Sequence, residues 1–172
     1  MGETEARHFL EEGERHLQSG DHQAAERAFT RAVEVAPDSA LAHSKLGVTF
    51  ANQGRPDLAI AEFNRAIALH PGYAPAYSNL GNVYREKGMR TEAVMAYERA
   101  LAIDPDYWVA HQNLGALYKE MGRVGEAVEH FKKAMRLSAK RPAKGEARRG
   151  CLGQIVAVLT LAAGLAVLLA AL

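Results

Sequence analysis

Residues 74–106 read APAYSNLGNVYREKGMRTEAVMAYERALAIDPD, two short helices and a stop. Tyr77, Leu80, Gly81 and Tyr84 fall at i, i+3, i+4 and i+7, the apolar face of one helix. Gly88 ends that helix, because glycine tolerates the left-handed conformation a helix exit requires. Ala93, Tyr97, Ala100 and Leu101 mark the face of a second helix, and Pro105 forbids its continuation. Helices this short are marginal alone in water. They need neighbours, and the chain supplies copies.

A shift of 34 residues brings the pattern back. Leu46, Leu80 and Leu114 are each followed by glycine, and Phe50, Tyr84 and Tyr118 keep step. So do Gly54, Gly88 and Gly122. On the second helix Ala59, Ala93 and Ala127 recur, with Phe63, Tyr97 and Phe131, then Ala66, Ala100 and Ala134. Pro71 and Pro105 close two units. A degenerate earlier copy carries Gly13, Gly20, Ala25, Phe29, Ala32 and Pro37 in the same register.

This pattern resembles the tetratricopeptide repeat, a helix–turn–helix unit with a 34-residue period. The resemblance covers residues 4–139 as four repeats, 4–38, 39–72, 73–106 and 107–139. It implies an all-α, right-handed superhelical solenoid whose role is to present a surface to partner proteins. Glu12 stands where the pattern wants leucine, so the first repeat reads as a capping unit with a wetter outer face. Asp38 is the expected N-cap of the second repeat, and Pro56 the first residue of its second helix. The fourth repeat has Ala139 in place of a closing proline, and the edge made by Val128, Phe131 and Met135 is either open or covered by the segment that follows.

Beyond the repeats the composition changes twice. Residues 140–149 hold five basic side chains against Glu146, a net charge of +4, and 150–172 carry none. With +1 for the whole chain, residues 1–139 are left at −3. A mildly acidic repeat domain is poorly suited to neutralising phosphates, so no nucleic-acid partner is expected. Residues 140–150, with Pro142, Gly145 and Gly150, read as a basic linker. Residues 151–172 read as a transmembrane helix: from Leu152 to Leu172, LGQIVAVLTLAAGLAVLLAAL has no charge, and a helix of that length spans roughly 30 Å. At the end of the sequence it reads as a tail anchor, with lipid as one partner. The basic collar places the repeats on the cytoplasmic side by the positive-inside rule. Cys151, the only cysteine, is either an interfacial thiol or an acylation site at that boundary. Ala162, Ala166 and Ala170 form a small-residue stripe that suits helix–helix packing in a membrane.

In the family the first helices line a groove, and the matching positions here include Lys45, Ser78, Asn79, Asn82, Arg85, Gln112, Asn113 and Lys119. Asn79 and Asn113 are one repeat apart. An amide carries both donor and acceptor, which suits the backbone of an extended peptide. The pair resembles the asparagine ladder of the O-linked N-acetylglucosamine transferases. Other members clamp chaperone tails with lysine and asparagine, but Leu10, Glu14, Ser44 and Lys45 occupy those positions, so that role is not expected. His43 and His111 share a register beside the packing face and read as core-edge residues. None of the seven histidines forms an H-E-x-x-H pair, and no phosphate loop, carboxylate pair or serine elbow appears. The sequence therefore points to no enzyme, no cofactor and no metal. It points to a membrane-tethered interaction adaptor or, alternatively, an accessory or assembly subunit of a larger membrane complex.

Overall fold

The computed structural model describes residues 2–140. They form eight helices: α1 (Gly2–Gln18), α2 (His22–Val35), α3 (Ala40–Asn52), α4 (Pro56–Leu69), α5 (Ala74–Glu86), α6 (Arg90–Ile103), α7 (Trp108–Glu120) and α8 (Val124–Ala139). Contacts are densest within α1–α2, α3–α4 and α5–α6 and run on from each pair to the next, α2 to α3, α4 to α5 and α6 to α7. The architecture is the all-α repeat solenoid the 34-residue pattern implies. The basic linker, the apolar tail and its Ala162, Ala166 and Ala170 stripe lie outside the described residues. Among the described residues no helix is long and apolar enough to cross a membrane.

Two sets of glycines make the repeat possible. Gly20, Gly54, Gly88 and Gly122 sit at φ +78°, +70°, +75° and +75°. The amide after each bonds the carbonyl five residues earlier: Asp21 to His16, Arg55 to Phe50, Met89 to Tyr84 and Arg123 to Tyr118. This closes the first helix of every pair, and a side chain there would strain the backbone. The second set lets two helices approach. A Cβ on Gly81 would lie 2.7 Å from the Tyr97 ring, and one on Gly47 2.9 Å from that of Phe63.

The core follows the same register. Phe29, Phe63 and Tyr97 are fully buried against Ala25, Ala59 and Ala93, with Leu46, Leu80 and Leu114 completing the layers. Burying each large side chain contributes roughly 1.5–3 kcal/mol, which these 13- to 17-residue helices need to hold their shape.

One expected cap is displaced. Ser39, not Asp38, is the N-cap of α3, its Oγ accepting from the Ala42 amide at 3.2 Å. Asp38 lies in the preceding turn, one residue too early to serve. Pro56 does open α4. At the array's N-terminal edge Glu12 is partly exposed and lies 3.8 Å from His16, while His8 and Arg15 are exposed, so the outer face of α1 is polar.

Candidate protein-binding groove

The first helices of successive repeats touch one another, α1 with α3, α3 with α5 and α5 with α7. Residues recurring every 34 positions on these helices therefore share one continuous face. Asn79 on α5 and Asn113 on α7 are such a pair. Both are half-buried, and neither amide holds a hydrogen bond to any described residue. Neither amide is among the buried side-chain atoms left without a partner, so both reach water and can exchange it for another hydrogen-bonding group.

The neighbouring residues behave differently, and several depart from the expectation of a groove lined by free polar groups. Lys45 Nζ pairs with Glu14 Oε1 at 2.7 Å, and Arg85 Nε lies 3.9 Å from Glu120 Oε1. Ser78 is buried rather than lining an open surface, and its Oγ has no hydrogen-bond partner among the described residues. Asn82 Oδ1 accepts from the Tyr97 hydroxyl at 2.6 Å, so half of that amide is spent inside the repeat. Burial pushes the Tyr97 phenol up to about 12, with Arg85 pulling the other way, so the hydroxyl stays a neutral donor at ordinary pH. Gln112 and Lys119 are exposed. Of the three cations on this face only Lys119 makes no ion pair among the described residues.

The Asn82–Tyr97 bond has a signature inside the sequence. Tyr97 replaces the Phe29, Phe63 and Phe131 of the other repeats, and Asn82 replaces their Glu14, Val48 and Ala116. Both exchanges occur in the same repeat, where the one hydroxyl needs the one acceptor.

The histidines show a second such pairing. His43 and His111 are buried at the same register, as core-edge residues. His43 Nε2 donates to Pro37 O at 3.0 Å and Nδ1 lies 2.7 Å from Glu62 Oε2. His111 Nε2 donates to Pro105 O at 3.1 Å, which leaves its Nδ1 to accept, and His130 Nδ1 stands 2.8 Å away as the donor. Glu62 and His130 both follow their histidine by nineteen residues. Burial pulls both His111 and His130 below the usual histidine range, and Lys133 adds to the effect on each. Among the described residues no group of three or more His, Cys, Asp or Glu is placed to hold a metal ion.

Helical pairs, the 34-residue register and the shared first-helix face together define a class of interaction solenoid. The match to known families is direct. Two families described as tetratricopeptide repeat match residues 10–74 and 109–141 respectively, and a third described as TPR repeat matches 81–122. The chain belongs to the tetratricopeptide repeat family. It is similar to the crystal structure of MamA at 33% identity and a TM-score of 0.68, covering 78% of this chain and 79% of that one. It is similar to Pseudomonas aeruginosa pilF at 28% identity and a TM-score of 0.74, over 83% of this chain and 65% of that one. It is also similar to an O-GlcNAc transferase mutant of Thermobaculum terrenum, at 33% identity and a TM-score of 0.66, over 69% of this chain but only 23% of that one. No curated protein matches the chain.

Proposed function

We propose that this protein is a membrane-tethered adaptor whose repeats hold an extended protein segment along the face shared by α3, α5 and α7. The observation that carries this reading is the pair of half-buried, unpaired amides Asn79 and Asn113 on adjacent first helices. A peptide backbone running across them satisfies donor and acceptor at both. Lys45 and Arg85 are neutralised by Glu14 and Glu120, so charge plays a smaller part than the sequence suggests, and Lys119 is the cation left to favour an acidic segment. The repeats take the family's right-handed superhelical sense in this reading, with the groove on the concave side.

The tether is residues 151–172, with the basic linker 140–150 holding the repeats at the cytoplasmic surface. Tethering raises the effective concentration of the groove for partners at the same membrane. A second reading, an accessory or assembly subunit of a membrane complex, draws support from exposed apolar side chains on α8, with Val128 at 43% and Met135 at 69%. In that reading Ala162, Ala166 and Ala170 contact a neighbouring span.

The test separates groove from tether. Asn79→Ala/Asn113→Ala should weaken an extended-peptide partner by roughly 1–3 kcal/mol, about five- to a hundredfold, with helical circular dichroism unchanged. A folded double mutant that keeps every partner at wild-type affinity removes the groove from the mechanism. Deleting residues 152–172 should release the repeats from membranes. Retention in the pellet after alkaline wash removes the tether.

A further inference from the structure

The outer face of α8 repeats a pattern that is covered on α4 and α6. Val128 and Met135 stand at the register of Ile60 and Ile67 on α4 and of Val94 and Leu101 on α6. Those four are partly buried and packed against the core clusters, while Val128 is 43% and Met135 69% exposed. Val124 is also exposed, so Val124, Val128, Phe131 and Met135 make a stripe at i, i+4, i+7 and i+11. Beside it lies a notch of about 230 Å³ lined by Trp108, Gln112, Phe131, Ala134, Met135 and Ser138. The buried indole N–H of Trp108 finds no acceptor among the described residues.

We propose that this edge docks an amphipathic helix of a partner protein, one with an apolar stripe bordered by acidic side chains. First, the sequence does not code a fifth repeat to cover the edge. Carrying the register past α8 puts Arg148 where Leu80 and Leu114 stand and Arg149 where Gly81 and Gly115 stand. At those glycines even a Cβ would lie 2.7 and 3.0 Å from an aromatic ring. Second, another copy does not match. The residues of α1 at the register of the buried Ala76, Leu80 and Val83 are His8, Glu12 and Arg15, so head-to-tail stacking sets a polar face on an apolar one. Third, at about 100° per residue Lys132 borders the stripe on its solvent side, and Arg136 and the exposed Glu129 lie farther round. Lys132 and Arg136 are exposed and make no ion pair among the described residues, so this flank is net positive and favours acidic flanks on the incoming helix. This surface is separate from Asn79 and Asn113 and does not depend on them.

The test uses the full chain in nanodiscs and two fluorescent synthetic helices. Both carry leucine at i, i+4, i+7 and i+11; one has glutamate flanks and the other lysine flanks. The glutamate-flanked helix should bind at least about tenfold tighter. Val128→Glu/Met135→Glu should weaken it at least about tenfold with circular dichroism unchanged, and Lys132→Glu/Arg136→Glu should reverse the preference between the two helices. Asn79→Ala/Asn113→Ala should leave all of this intact. Equal binding of both helices, or insensitivity to the α8 substitutions, overturns the proposal. So does a photocrosslinker at position 135 that captures a second copy, or residues 141–172 of its own chain, and is not displaced by the glutamate-flanked helix.

Discussion

Tyr97 on α6 and Phe131 on α8 occupy one register, 34 residues apart, and face glycines of one register, Gly81 and Gly115. Tyr97 is fully enclosed by α5 on one side and by the repeat that follows on the other. Phe131 has the first kind of neighbour and is left half-buried. The local code is the same in both repeats, so the difference belongs to position in the array. The stability of a repeat array is the sum of what each repeat holds within itself and what it gains at the interface with its neighbours. The fourth repeat therefore carries apolar side chains whose burial depends on something outside the array.

The largest expected effect tests that contrast directly. Tyr97→Ala should cost roughly 3–5 kcal/mol, since it opens a cavity and strands the half-buried Asn82 carbonyl oxygen. Phe131→Ala should cost clearly less, because its cavity opens towards solvent and collapses or fills with water. Urea unfolding of the full chain, followed by circular dichroism, measures both. Equal costs would mean that the two repeats are equally enclosed in the intact protein.

Next in size is Leu80→Ala, expected to cost roughly 2–5 kcal/mol through lost transfer energy and an unfilled cavity. Leu80 lies in the cluster that also holds Leu46, Phe50 and Phe63, so the loss should be felt across repeats two and three. A shift in thermal midpoint confined within about 1 °C would contradict this packing, since 1 kcal/mol moves a domain of this size by several degrees.

These contrasts also show what the sequence discloses and what it hides. The 34-residue spacing of Leu46, Leu80 and Leu114 makes the helices, turns and core legible, because one side chain at one register meets the same neighbours each time. Singular contacts are harder to read. Ser78 falls at a groove position by register but is buried, and Asn82 falls there but binds the Tyr97 hydroxyl. Lys45 and Arg85 look free until Glu14 and Glu120 are seen beside them. The Asn82–Tyr97 pair is a double departure, since neither residue recurs at its register in another repeat. Asn79 and Asn113 are legible for the opposite reason, being a repeated residue on a repeated face.

The histidine pairs give a third test, set by pH. His111 and His130 are held below the ordinary histidine value, chiefly by burial, with Lys133 opposing charge on both. Asp106 acts in the other direction on His111, as do Glu129, Glu126 and Glu98 on His130, and burial outweighs them. The unfolded chain then binds more protons than the folded one between about pH 6.5 and the lower folded values, so stability falls as pH drops through that window. Above pH 6.5 both rings are neutral in either state and the effect vanishes. Repeat two has Glu62 opposite His43, a carboxylate oxygen 2.7 Å from the ring Nδ1 in place of a second imidazole. His130→Glu gives repeat four the same arrangement, and the loss of urea midpoint between pH 7.5 and 5.5 should shrink. An unchanged pH dependence in that variant would assign the acid sensitivity to other groups.

The smallest expected effect is the most informative about the open edge. Leu101 and Met135 share a register, one packed against a core cluster and the other 69% exposed. Leu101→Gln places an amide among apolar neighbours and should cost roughly 1–3 kcal/mol. Met135→Gln exchanges one exposed flexible side chain for another of similar length and should stay within about 0.5 kcal/mol of wild type. Glutamine is a good helix former and carries no charge to disturb the last turn of α8, so little else enters the comparison. Urea unfolding of the full chain reads both substitutions. A cost for Met135→Gln approaching that of Leu101→Gln would show that α8 is already covered in the isolated protein, and no edge would be left for a partner helix. A null result beside a large Leu101 effect leaves the edge open, because exposure then costs the isolated chain nothing that a partner has not yet supplied.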